Sequence, residues 1–232
     1  MYSSNFKVTM IVAAAGVGKR MGLGYPKQFL EYKGKPLFIM PLEVAQNSNI
    51  VDEIIVVTNK ENVSLVENYC NQYGLSKVVK VTEGGKERQN SIYNALKYDN
   101  NSDIILVQDG VRPFLKEKYI EECCRVVAEE RLGAVVGVQV KDTIKVINEN
   151  FEVVSTPKRA DLIAVHTPQA FEGKLLKEAY EIAERENFLG TDDSSLVERI
   201  GGKVKIVLGD YDNIKITTQE LSLIHISEPT RR

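Results

Sequence analysis

The chain alternates between two kinds of segment, and that alternation limits its fold more than any other feature. Runs of β-branched and apolar residues occupy Lys7–Ala15, Ile54–Thr58, Val78–Thr82, Ile104–Gln108 and Ala134–Val138. Between them lie amphipathic stretches of helical length at Pro36–Gln46, Asn62–Tyr73, Arg88–Tyr98 and Lys116–Glu130. A strand apolar at nearly every position has no face for water, so both faces of its sheet must be covered. Helices crossing over between strands do that and make the strands parallel. The expected fold is α/β: a Rossmann-like, mostly parallel twisted sheet with helices on both faces.

After Gln139 the pattern changes. Asp142–Ile147 and Phe151–Ser155 are short alternating segments around Asn148-Glu149-Asn150, which predicts a projecting β-hairpin arm over about 141–159. Helical stretches return at Gly173–Glu186 and Ser194–Ile200, and Lys203–Leu208 reads as a late strand. Residues 1–220 are expected to form a single domain carrying this arm. The tail at 221–232 resembles a translated sequencing adapter and is expected to be non-native, which removes His225 from the candidate catalytic residues.

Thirty basic residues nearly balance thirty-two acidic ones in a chain of 232. No bulk charge points to nucleic acid or a membrane surface, so any anionic ligand must be held by a local cluster. Cys70, Cys123 and Cys124 lack metal-ligand spacing and read as reduced packing residues. The apolar run at Val8–Ala15 is too short to span a bilayer and lacks the layout of a signal peptide. The expected location is the cytoplasm.

The first strand runs into Ala13-Ala14-Ala15-Gly16-Val17-Gly18-Lys19-Arg20-Met21-Gly22. Small residues where a strand ends let backbone N–H groups approach a phosphate. A P-loop would need Ser or Thr after Lys19, where Arg20 stands, and a dinucleotide fingerprint would need Gly at Met21. What remains is a small-residue loop with Lys19, Arg20 and, past Pro26, Lys27, a set of cations suited to a triphosphate.

The pattern Ala14-Ala15-Gly16-x-Gly18-x-Arg20-Met21, followed by Pro26-Lys27-Gln28, resembles the opening signature of the sugar-phosphate nucleotidyltransferases. Later segments resemble, in order, those of the methylerythritol phosphate cytidylyltransferase family. They are Gly84-Gly85-x-x-Arg88-x-x-Ser91, Asp109-Gly110-Val111-Arg112-Pro113, Lys141 to Lys145, Arg159 through His166-Thr167-Pro168-Gln169, Thr191 to Ser195, and Asp212 to Lys215.

The resemblance implies a magnesium-dependent enzyme that transfers CMP from CTP to a small sugar-alcohol phosphate and works as a homodimer through the arm. It assigns catalytic roles to Arg20, Lys27 and Lys215. CTP would lie against Ala14, Ala15, Gly16, Gly18, Gly85, Ser91, Asp109 and Gly110, with Asp109 also a candidate magnesium ligand. Thr143 and Arg159 on the arm, with Thr167 and Thr191, would hold the sugar phosphate. Arg112 is expected to order its own loop, Asp192 and Asp193 to cap a helix, and His166 to be a packed or surface residue. A phosphate monoester with a second pKa of about 6 is already a dianionic nucleophile, so no general base is required.

Rival readings are a ribitol 5-phosphate cytidylyltransferase, an inactive nucleotide-binding module and, from fold alone, an NAD-dependent oxidoreductase. The Ala14-Ala15-Gly16 loop and the run Thr191 to Glu198 favour methylerythritol phosphate over ribitol phosphate.

Overall fold

The computed structural model describes residues 6–16 and 26–217. In chain order, β1 (Val8–Ala14) precedes a small ribbon, β2 (Glu31–Tyr32) with β3 (Lys35–Pro36), and then α1 (Ile39–Asn47). There follow β4 (Glu53–Thr58), α2 (Val63–Gln72), β5 (Val78–Glu83), α3 (Arg88–Leu96), β6 (Ile104–Asp109), α4 (Glu117–Arg125) and β7 (Gly133–Gln139). The arm is β8 (Val146–Ile147) with β9 (Val153–Ser155). The chain returns through β10 (Ile163–Glu172), α5 (Gly173–Arg185), α6 (Asp193–Arg199) and β11 (Val204–Leu208).

Seven strands form one sheet in the order β11-β7-β10-β6-β1-β4-β5. Every neighbouring pair is parallel except those of β10, which runs antiparallel between β6 and β7. Successive side chains on a strand face opposite ways, and the unbroken apolar runs therefore feed two cores. Val8, Met10 and Val12 of β1 join Ile54, Val56, Ile104 and Leu106 on one face, under α1, α2 and α4. Ile11 joins Ile55, Val57, Ile105 and Val107 on the other, under α3, α5 and α6. Truncating one such side chain, Ile55→Ala for example, costs about 2–5 kcal/mol. Cys70, Cys123 and Cys124 are buried free thiols within these helices, as expected.

Three elements depart from the sequence reading. The helix expected from Pro36 starts at Ile39, because Lys35 and Pro36 pair with Glu31 and Tyr32 in the ribbon. The helix expected over Lys116–Glu130 ends as α-helix at Arg125 and continues as one wider π-type turn, Val126–Glu130, closed by Arg131 at φ 57°. Strand β10 was hidden because Pro168 and its polar neighbours interrupt any apolar run. Its register against β7 shifts between Val165 and Gln169, around the cis Thr167–Pro168 peptide.

Candidate active site

β1 is flanked by β4, the next strand of the sheet in sequence, and by β6, which the chain reaches only later. The strand order reverses there, opening a crevice at the carboxyl ends of β1 and β6, where α/β sheets bind ligands. Ala13 is in register with Asp109, the last residue of β6. The next residue, Gly110, donates its N–H to the Ala13 carbonyl at 2.9 Å. A Cβ at Gly110 would stand 3.0 Å from that carbonyl and 3.3 Å from the Ala14 Cβ, so glycine keeps the two strand ends together.

The turn after β5 joins them from the other side. A Cβ at Gly84 would fall 2.8 Å from the Ala15 Cβ and 2.7 Å from the Ser91 hydroxyl. Ser91 is buried; its hydroxyl accepts from the Gly85 N–H and donates to the Glu87 carbonyl, both at 3.0 Å. Its visible work is to shape the Gly84-Gly85 turn. The Lys27 stem passes Gly16, with Cε 3.6 Å from where a Cβ would sit. Three small-residue backbones and a lysine thus meet at one end of the sheet.

Asp109 is nearly inaccessible and sits among cations. Its Oδ1 accepts from Arg88 Nε at 3.1 Å, while Oδ2 lies 2.8 Å from Lys215 Nζ and 3.5 Å from Arg112 Nε. Burial opposes ionisation of this carboxyl, but Arg88, Lys215 and Arg112 outweigh it and hold it well below the usual carboxylate range. Arg88 also forks onto Asp193, at 3.0 and 2.8 Å, and Asp193 accepts a short bond from the Tyr180 hydroxyl.

A closed circuit supports Asp109. Arg112 Nη1 donates to the Asn213 carbonyl at 2.7 Å, and Asn213 Nδ2 donates to the Thr167 carbonyl at 2.9 Å. The Thr167 hydroxyl accepts from the Asp109 N–H at 3.1 Å, closing the ring. Lys215 rides on the same segment as Asn213. Arg112 therefore orders its loop, as the sequence suggested.

Among the expected nucleotide-site residues, Ala14, Ala15, Gly16, Lys27, Gly85, Ser91, Asp109, Gly110 and Lys215 belong to this end of the sheet. Gly18 and Arg20 lie outside the described residues, as does the tail at 221–232 with His225. Thr167 is buried behind Asp109. Thr191 is exposed on the loop before α6, beside a cavity of about 200 Å³ that Arg88 and Asp192 also line. Thr143 and Arg159 are exposed on the arm, where Arg159 Nη1 donates to the Lys141 carbonyl at 2.7 Å. A larger cavity, about 560 Å³ around Ile104, lies at the amino end of β6 and so at the opposite edge of the sheet.

Asp192 caps α6, its carboxylate accepting from the Ser195 N–H at 2.9 Å. Asp193 instead pairs with Arg88, a partnership the sequence reading missed. The only available signal was the presence of both residues in the family-like motifs. Gln169 was also missed: fully buried, it donates to Asp192 at 2.8 Å and accepts from the Ser194 N–H at 3.0 Å. His166 is half-buried, and burial together with the Arg112 cation lowers its pKa to about 4 against the pull of Asp109.

Among the described residues no three His, Cys, Asp or Glu side chains converge to hold a metal by themselves. Among those residues Asp109 is the carboxylate at the strand ends of the crevice, which fits a magnesium ion carried mainly by phosphate oxygens. No helix among the described residues is long and apolar enough to cross a membrane.

The family model for 2-C-methyl-D-erythritol 4-phosphate cytidylyltransferase (IspD) matches residues 8–225. A protein of that name from Fusobacterium nucleatum is 55% identical over 225 residues, covering 95% of this chain and 97% of its own length. One from Clostridioides difficile is 46% identical, covering 91% and 89%. The crystal structure of 4-diphosphocytidyl-2C-methyl-D-erythritol synthase from Anaerococcus prevotii superposes with a TM-score of 0.84 at 32% identity, covering 95% of this chain and 94% of that one. This chain belongs to the 2-C-methyl-D-erythritol 4-phosphate cytidylyltransferase family.

Proposed function

We propose that this chain transfers CMP from CTP to 2-C-methyl-D-erythritol 4-phosphate, releasing pyrophosphate, in the methylerythritol phosphate route to isoprenoid precursors. One observation carries the reading: Asp109 and Lys215 sit in contact at the switch point beside Ala15 and Gly84, within a chain that matches its family from residue 8 to residue 225.

The small-residue backbones of Ala14 to Gly16, Gly84-Gly85 and Gly110 admit CTP with little side-chain obstruction. Arg20 and Lys27 meet its phosphates, and Lys215 moves from Asp109 to the reacting phosphate. Asp109, together with the CTP phosphates, would hold a magnesium ion, which when bound would supply charge neutralisation on the triphosphate. The sugar phosphate is already dianionic near neutral pH and attacks the α-phosphorus in line, so positioning and charge neutralisation supply the rate. Thr167 orients Asp109 through its backbone N–H, and Thr191 borders the second substrate.

The enzyme works as a cytoplasmic homodimer in which the arm of one subunit presents Thr143 and Arg159 to the partner's sugar phosphate. Exposed apolar side chains along the arm support that part: Ile147 is 47%, Val153 59% and Phe151 83% accessible in the single chain.

The test is pyrophosphate release from CTP with magnesium, comparing 2-C-methyl-D-erythritol 4-phosphate with ribitol 5-phosphate. Turnover with the first alone is expected. Turnover with ribitol 5-phosphate would move the acceptor assignment and keep the chemistry. CTP binding without turnover on either would favour an inactive nucleotide-binding module.

A further inference from the structure

We propose that Tyr211 is a positioning residue that ties the foot of the arm to the segment carrying Lys215. The inference rests on the reading that the arm presents Arg159 to a sugar phosphate.

Residues 209–216 form a turn pinned at both ends. The Gly209 N–H donates to the Gly137 carbonyl and the Ile216 N–H to the Val111 carbonyl, each at 2.9 Å. Asp210 accepts from the Tyr119 hydroxyl at 2.8 Å and pairs with Lys116 at 2.7 Å. Within these anchors Asn213 and Lys215 reach inward to Thr167 and Asp109. Tyr211 reaches the other way. Its hydroxyl donates to the Gln139 carbonyl at 2.9 Å, and the Lys141 ammonium stands 3.5 Å from its ring centre. The Lys141 carbonyl accepts from Arg159, so the outgoing and returning feet of the arm are joined where Tyr211 grips them.

No core packing requires an aromatic ring here: Tyr211 is 46% exposed and belongs to neither of the two large cores. Among the described residues its hydroxyl and its ring both meet the base of the arm instead. The same short turn therefore sets the direction of the arm and the position of the catalytic lysine. In a dimer it links each subunit's own Lys215 to the Arg159 that it lends to its partner.

Steady-state kinetics on the full chain test this with Tyr211→Ala, Tyr211→Phe and Arg159→Ala. Tyr211→Ala is expected to raise KM for 2-C-methyl-D-erythritol 4-phosphate about five-fold, the combined effect of one cation–ring contact and one hydrogen bond. KM for CTP and the urea midpoint should stay near wild type. Tyr211→Phe keeps the ring under Lys141 and should restore most of the loss. If Tyr211→Ala leaves both KM values unchanged while Arg159→Ala raises that of the sugar phosphate, the coupling is wrong and the reading of the arm survives. An equal rise in both KM values also overturns it, as damage to the fold. If Arg159→Ala has no effect, the reading of the arm fails and the coupling with it.

Discussion

Asp193→Asn isolates the least visible part of the site. The Asp193 carboxylate has no exposed surface and receives two guanidinium bonds from Arg88, at 3.0 and 2.8 Å, besides the Tyr180 hydroxyl. Asn keeps the shape but removes the charge, and it turns an N–H₂ group towards one of the Arg88 donors. Breaking a fully buried pair costs about 3–5 kcal/mol. Here the Arg88 side chain is 31% exposed and retains Asp109, so water and the second carboxylate recover part of that. The expected loss is about 2–3 kcal/mol, which for a domain of this size lowers Tm by roughly 5–10 °C. Urea unfolding should show a lower midpoint with an unchanged slope. A double-mutant cycle with Arg88→Gln should return a coupling of at least about 1.5 kcal/mol. A loss below about 0.5 kcal/mol for Asp193→Asn would refute the reasoning, because the buried charge would then contribute no more than a neutral amide.

Four further outcomes follow from the same geometry. His166 has a folded pKa of about 4 against about 6.5 unfolded, so the unfolded state takes up a proton first as pH falls. The stability it carries is present above pH 6.5 and lost between 6.5 and 4, about 1–2 kcal/mol after allowing for its half-exposed ring. His166→Gln should flatten that slope in urea titrations at pH 7 and 5, and an unchanged slope would count against it. Gly84→Ala would press a methyl group against Ala15 and Ser91, and should raise KM for CTP about tenfold or more without a matching change for the sugar phosphate. Arg112→Met, at a nearly buried side chain, should destabilise by about 3 kcal/mol. Lys215→Met, at a 36% exposed one, should cost under about 1 kcal/mol yet remove most turnover; comparable stability losses would erase the distinction. Ile147→Asp with Val153→Asp should leave each subunit folded and convert a dimer to monomer in sedimentation, whereas a monomeric wild type would end the dimer reading.

The parallel sheet was legible because its inner strands β1, β4 and β6 are buried on both faces. Ile54 to Val57 alternate between two cores, and no amphipathic helix could hide four consecutive apolar side chains in that way. Strand β10 was not legible, since its middle is His166-Thr167-Pro168-Gln169. Two of these residues are engaged by the site rather than by the strand: Thr167 serves Asp109, and Gln169 serves Asp192 and Ser194. The meeting of small residues at this end of the sheet could be read from the sequence, because a glycine needed for close approach leaves a gap in side-chain chemistry that spacing reveals. The pairing of Arg88 with Asp193, 105 positions apart, could not. Nothing local marks a charge whose partner arrives from another helix.

The same arrangement explains how a cluster of cations can be held together within the fold. Three cations, Arg88, Arg112 and Lys215, face two carboxylates, Asp109 and Asp193, close to neutrality but on the positive side. A triphosphate arriving there needs cations already positioned, since rearranging them during reaction would cost part of the stabilisation. Cations collected without counter-ions would repel one another and open the site. Asp109 resolves this by holding Lys215 in reserve. Lys215 is the most exposed of the three and, among the described residues, pairs with Asp109 alone, so in the proposed reaction it would pass to a phosphate at the least cost. In the proposed reaction Arg88 and Arg112 would stay behind and keep Asp109 ionised once Lys215 had gone. If either arginine were absent, the departure of Lys215 would leave a buried carboxylate with too little compensation, and the lysine would be held back. In the proposed reaction the two arginines would therefore set how readily Lys215 is released.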